Sequence, residues 1–200
     1  MIWYEDEVKT LKNKILTYDS KPVTLFYGSS SIRLWQKLES DFLEFNAVNL
    51  GFGGSTLAAC VHFFSQIIVP YNPSKIVLYA GDNDLGDGQS PEDVFNSYKQ
   101  FENLVTIQFP EVPIYFISIK PSLIRYNIKG KILHANKLIR AEISKHPNHR
   151  FIDVYSYMVD AEGYPKKNLF EDDGLHINSA GYELWKNIIF SSLTNDLIFS

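Results

Sequence analysis

The stretch "TLFYGSSSIRLW", Thr24–Trp35, passes from bulky apolar residues to a glycine, three consecutive serines and a segment fit to open a helix. Leu25, Phe26 and Tyr27 read as the end of a strand covered on both faces, because they form an unbroken apolar run and do not alternate with polar residues. Gly28 is placed for a turn, and Ser29, Ser30 and Ser31 stand where strand gives way to helix. Hydroxyls at that junction have two uses. They cap a helix start, or one of them attacks a substrate.

The same pattern repeats along the chain. Apolar runs predict further strands at Ala47–Leu50, Lys75–Tyr79, Val112–Ile117 and Phe151–Val154, after the first at Val23–Tyr27. Amphipathic segments between them predict helices over Asp6–Thr17, Ser55–Ile68, Pro91–Gln108 and Asn178–Phe190, and another within Ile124–Ser144 that begins near Lys129. Ser90 followed by Pro91 is a strong helix start, and Val94, Tyr98, Phe101, Leu104 and Val105 then recur at helical spacing. Strand and helix in alternation imply an α/β fold: a five-stranded parallel sheet with helices on both faces, in one domain over residues 1–200.

Composition excludes several classes. Hydrophobic residues make up 45% and charged residues 21%, as in an ordinary globular chain. Net charge is −4 with no basic block, which argues against nucleic acid or an anionic membrane as partner. Cys60 is the single cysteine, so no internal disulfide can form. No run approaches the roughly 18 apolar residues of a membrane span, and the acidic N-terminus lacks the pattern of a secretory signal. The expected compartment is the cytoplasm, with no stable membrane insertion and no metal or other cofactor. Scattered histidines give no ligand set, and His146 and His149 sit in a polar turn with no acid pair near them in sequence. The fold admits a homo-oligomer through an aromatic or apolar helix face.

In parallel sheets the working residues lie beyond the carboxyl ends of the strands. Those loops read Gly28-Ser29-Ser30-Ser31, then "NLGFGGST" and "YAGDNDLGDG", then "SIKPSLIRY", and later "FEDDGLHINSAGY". A serine, an aspartate and a histidine thus fall in order on loops gathered at one edge. Gly54 offers an unobstructed N–H and Asn83 an amide, which are the donors an oxyanion needs. Ser55 is placed to cap the following helix. Each element also has a plain reading: helix caps for the serines, an Asx-turn for Asn83, a surface position for His176. "GFGGST" matches neither a dinucleotide fingerprint nor a P-loop.

Together these loops resemble the SGNH (GDSL-type) hydrolases at Gly28-Ser29-Ser30, Gly53-Gly54-Ser55, Gly81-Asp82-Asn83-Asp84 and Asp173-Gly174-Leu175-His176. The resemblance implies a flavodoxin-like three-layer α/β/α sandwich and a serine esterase or acylhydrolase for small ester substrates. It places the nucleophile on Ser30, the base on His176 and its partner acid on Asp173. The oxyanion hole falls to the Ser30 N–H, Gly54 and Asn83. Ser29 stands where the family usually carries aspartate. A shifted alignment would make Ser31 the nucleophile, and Asp172 competes with Asp173.

The substrate is less legible. Short acyl groups, acylated sugars and lysolipids all fit the resemblance, and the absence of a long lid insertion leans towards small soluble esters. Lys120, Ser122 and Arg125 face the cleft and bind an anionic or polyhydroxy substrate, or else Lys120 is simply solvated. Trp35, Phe52 and His62–Phe64 line an acyl pocket or, more plainly, pack the core. Readings from other classes are a catalytically silent flavodoxin-like ligand-binding module, and a flavin or phosphate site on the first loop.

Overall fold

Every residue of Val23–Gly28 is buried, and this strand, β1, pairs in parallel on both sides. Its neighbours are β2 (Ala47–Gly51) and β3 (Pro73–Tyr79). Beyond β3 lie β4 (Ile114–Ile117) and β5 (Arg150–Ile152), giving a five-stranded sheet in the order β2-β1-β3-β4-β5 with every pairing parallel. The computed structural model describes residues 4–15 and 21–195.

The helices are α1 (Glu5–Lys14), α2 (Ser30–Arg33), α3 (Leu38–Asp41), α4 (Leu57–Ile67), α5 (Asp82–Gly86), α6 (Pro91–Gln108), α7 (Lys129–Ile143), α8 (Tyr155–Met158) and α9 (Ser179–Asn195). Alternate residues of β1 serve opposite faces, as the strand period requires. Leu25 and Tyr27 join one apolar cluster with residues of α1, α4, α6 and α7. Phe26 joins the other, with Trp35, Phe42, Trp185 and Ile189. The three layers follow from that split.

The long elements match the sequence reading closely. Ser90 closes a capping box with Asp93 ahead of α6, and α7 begins at Lys129. Leu16 and Thr17, the expected end of the first helix, lie outside the described residues. Several boundaries differ: β3 starts earlier, at Pro73, β4 later, at Ile114, and α9 runs on to Asn195. β5 stops at Ile152, because the Val154 N–H turns back to the Ile152 carbonyl and to Ser118 Oγ. The cap of α4 is Thr56, whose side chain accepts the Ala59 N–H at 3.1 Å, while Ser55 is buried one residue earlier. The helices α3, α5 and α8 were not expected, since four or five residues are too few to show a helical period, while α2 opens at the serine run where a helix start was expected.

A four-residue helix such as α2 has no stability of its own. Ile32, fully buried, anchors it, and burying a side chain of that size contributes about 1.5–3 kcal/mol. Gly28 makes the turn possible. Its φ is +136°, and a Cβ there would come 1.8 Å from the Tyr79 carbonyl oxygen.

Candidate functional site

From β1 the chain crosses to β2 on one side, and β3 lies on the other, so the loops leaving β1 and β3 part from each other at the strand ends. That point of reversal is where open α/β sheets form a crevice. Gly28 to Ser31 stand at the end of β1 and Gly81 to Asp84 at the end of β3.

The three serines differ in environment. Ser29 and Ser31 are buried at 0% and 1% exposure, while Ser30 is partly exposed. Ser29 occupies the cap position of α2, yet its side chain makes no capping bond, so the plain reading of the run as caps does not hold. Ser30 is the first residue of α2, where a helix leaves its N–H groups without partners inside the helix.

Hydrogen bonds tie successive loops together. The Phe52 N–H donates to the Gly28 carbonyl, and the Ser29 N–H donates to Tyr79, each at 2.9 Å. In the loop after β3, three neighbours reach three different places. Asp84 accepts the Leu57 N–H with both oxygens, at 3.0 and 3.1 Å, and so holds the start of α4. Burial pushes its carboxyl up to about 6. Asn83 Nδ2 donates to the Ser55 carbonyl at 3.1 Å, one residue beyond Gly54, so these two candidates share one neighbourhood. Gly54 is exposed with φ +66°, and no atom lies within 4 Å of where a side chain would begin. Asp82, buried, faces Lys120 and Arg125 at 3.6 and 3.3 Å. The loop of Gly54 is held from α1 as well, since Gly53 N–H donates to Glu7 at 2.6 Å and Tyr4 Oη to the Gly54 carbonyl at 3.0 Å.

Asp173 and His176 lie in a tight loop pinned by antiparallel pairing of Phe170 with Ile177. Asp173 Oδ1 accepts the N–H groups of Leu175 and His176 at 2.8 and 2.9 Å. Its Oδ2 lies 2.6 Å from His176 Nδ1. A carboxylate is an acceptor, so the proton of the neutral ring sits on Nδ1, and Nε2 keeps its lone pair. The bond to His176, followed by the backbone donors, holds the Asp173 carboxyl down to about 2. These contacts belong to Asp173 and not to Asp172. Gly174 O accepts from Leu123 N, so the loop also joins the segment after β4.

Exposure separates the candidates from their neighbours. Ser30, Gly54, Asn83, Asp173 and His176 all reach solvent, while Ser29, Ser31, Ser55, Asp82 and Asp84 are buried.

Two expectations need correction, and the plainer reading of the aromatic residues as core holds. Lys120 is neither solvated nor free for substrate: it is 2% exposed, paired with Asp82, and donates to the Leu175 carbonyl at 2.8 Å. Burial pushes its ammonium below the ordinary lysine range, against the pull of Asp82. Ser122 is buried too. Trp35, Phe52, Phe63 and Phe64 are core residues, each at most 4% exposed. His146 does have acids nearby in space, for Glu102 and Glu142 converge on it from α6 and α7, and His149 is buried. Lys99 and Lys145 pair with Glu142, and Tyr98 Oη donates to Glu102. Cys60 is buried, and burial pushes its thiol well up. A groove of about 690 Å³ between α1 and α4 is lined by Val8, Lys12, His62, Phe63 and Gln66, none of them on the strand-end loops. Among the described residues, no helix is long and apolar enough to cross a membrane.

Known proteins resemble this chain in sequence and in fold. The GDSL-like Lipase/Acylhydrolase family matches residues 23–184. Platelet-activating factor acetylhydrolase IB subunit alpha2 of Gallus gallus is 26% identical over 170 residues, covering 82% of this chain and 72% of that protein. Among solved structures, a candidate platelet activating factor from Streptococcus pneumonia superposes with a TM-score of 0.83 at 24% identity, covering 96% of this chain and 94% of its own. A GDSL-like lipase from Bacteroides thetaiotaomicron VPI-5482 gives 0.79 at 20% identity, covering 94% and 98%. These two structures speak for the fold, the α/β/α sandwich of SGNH hydrolases. The chain belongs to the GDSL-like lipase/acylhydrolase family and is a hydrolase acting on esters.

Proposed function

We propose that this chain is a single-domain serine esterase that removes short acyl groups from small esters, with Ser30 as nucleophile. The observation that carries the assignment is the contrast within the serine run, where Ser30 reaches solvent and both neighbours are buried. His176 Nε2 takes the Ser30 proton during attack on the ester carbonyl and returns it to the leaving alkoxide. Asp173 keeps the imidazole in the tautomer that leaves Nε2 free and stabilises the imidazolium as it forms. The tetrahedral oxyanion is received by the N–H groups of Ser30 and Gly54 and by the Asn83 amide. Water then attacks the acyl-enzyme by the same route in reverse.

A short acyl group suits the packing, because the aromatic residues eligible for a long acyl pocket are spent in the core. The acetylhydrolases among its relatives point the same way. The test is hydrolysis of p-nitrophenyl acetate and butyrate by wild type and Ser30→Ala, with circular dichroism on both. Turnover by the wild type and its loss in a folded Ser30→Ala is the expected result. Equal rates in the two proteins would remove Ser30 from the role.

A further inference from the structure

Asn83 poses a problem that the backbone donors do not. A side-chain amide rotated by half a turn presents an oxygen where a donor is required, and would then repel the oxyanion it should receive. Something must fix which end is nitrogen. Arg125 Nη2 donates to Asn83 Oδ1 at 3.1 Å, while Asn83 Nδ2 gives one N–H to the Ser55 carbonyl at 3.1 Å. With both ends engaged, the second N–H of Nδ2 is left for an incoming oxygen.

We infer that Arg125 is a positioning residue for Asn83, held in place by Asp82 in a charged assembly that also includes Lys120. This rests on the esterase reading above. Arg125 is itself held by the Asp82 carbonyl at 2.8 Å and by Asp82 Oδ2 at 3.3 Å, both through Nη1. A Cβ at Gly86 would come 2.8 Å from the guanidinium, so α5 admits the fork only because it offers bare backbone there. Asp82 Oδ2 also faces Lys120, whose Nζ donates to the Leu175 carbonyl, immediately before His176. One buried carboxylate therefore joins the oxyanion side of the site to the histidine side. The guanidinium of Arg125, which stays protonated, stands behind the amide oxygen. A cation there polarises the amide and strengthens its remaining N–H as a donor. A lysine at 125 would keep the charge but lose the planar fork that spans Asp82 and Asn83 together.

The experiment is a double-mutant cycle on a short p-nitrophenyl ester with wild type, Arg125→Ala, Asn83→Ala and the double variant, alongside Arg125→Lys. Loss of Asn83 should lower kcat by about 10²–10³. Arg125→Ala should lower kcat by about 10–100-fold with KM within about twofold, the pattern of a lost transition-state interaction. In the Asn83→Ala background, removing Arg125 should cost less than about twofold more, because residues acting as one unit are not additive. Arg125→Lys should recover little, and it carries the same expectation if Arg125→Ala does not fold. Additive losses, a rise in KM with kcat intact, or a kcat near wild type would each overturn the inference. Activity that needs Ser30 but not Arg125 sinks the inference alone, whereas a wild type with no esterase activity removes the reading beneath it as well.

Discussion

Among the described residues histidine meets carboxylate at three places; His134 with Glu92 is an exposed pair, and the other two are built differently from each other. At the strand ends, Asp173 receives two backbone N–H groups and still meets His176 at 2.6 Å. Between α6 and α7, Glu102 and Glu142 approach His146, but the ring nitrogen lies 3.7 Å from Glu102, and Lys99 and Lys145 already pair with Glu142. In the first pair the acid is fixed by backbone, the histidine by the acid, and the far ring nitrogen is free for chemistry. The second is a charge-compensated contact between two packed helices. Burial raises Glu102 there, and Lys145 lowers Glu142. Proximity of residue types is therefore not enough to make a site. What matters is whether each group's other valences are taken up by fixed partners.

The sharpest way to break this contrast is to remove a histidine from each place. His176→Ala should lower kcat by about 10⁵-fold or more, since losing the base of a triad is nearly as damaging as losing all of it. His146→Ala should leave kcat within about twofold. A large activity loss at His146, with the fold intact, would mean that the second cluster also serves the reaction.

A smaller effect separates the two regions by pH. Burial, with the charges of His146 and Arg150, pushes His149 from 6.5 down to about 4. Its folded-state pKa lies below the unfolded one, so the unfolded chain binds more protons between those values, and the stability it contributes above about pH 6.5 is lost as pH falls towards 4. Asp84 works in the opposite sense, because its raised carboxyl gains stability as pH falls below about 6. The comparison should therefore be made against His149→Gln, which keeps an acceptor for the Ile114 N–H. The stability advantage of the wild type over that variant should shrink by roughly 1–3 kcal/mol between pH 6.5 and 4. A constant difference across that range would show that His149 does not titrate as its burial implies.

Much of this was legible in the chain itself. The strands appear because sheet residues covered on both faces form unbroken apolar runs, and α6 because Ser90-Pro91 is followed by a clean helical stripe. The candidate loops were legible because their chemistry-bearing residues are separated by only a few positions. What could not be read depends on distant partners. Lys120 beside Pro121 has the look of a solvated residue, and only the fold brings Asp82 and the Leu175 carbonyl to it. His146 has Lys145 and Pro147 as sequence neighbours, while Glu102 comes from another helix. Ser55 and Thr56 are adjacent and similar as caps, and the choice was made by Ser55 being drawn into the interior. The link from Arg125 to Asn83 has no local signature at all.

Covalent labelling with a fluorophosphonate, followed by digestion and mapping of the adduct, tests the assignment of Ser30 most directly. A single adduct on Ser30, absent from Ser30→Ala and suppressed in His176→Ala, is the expected result. An adduct on Ser31, or labelling that survives the loss of Ser30, would contradict it.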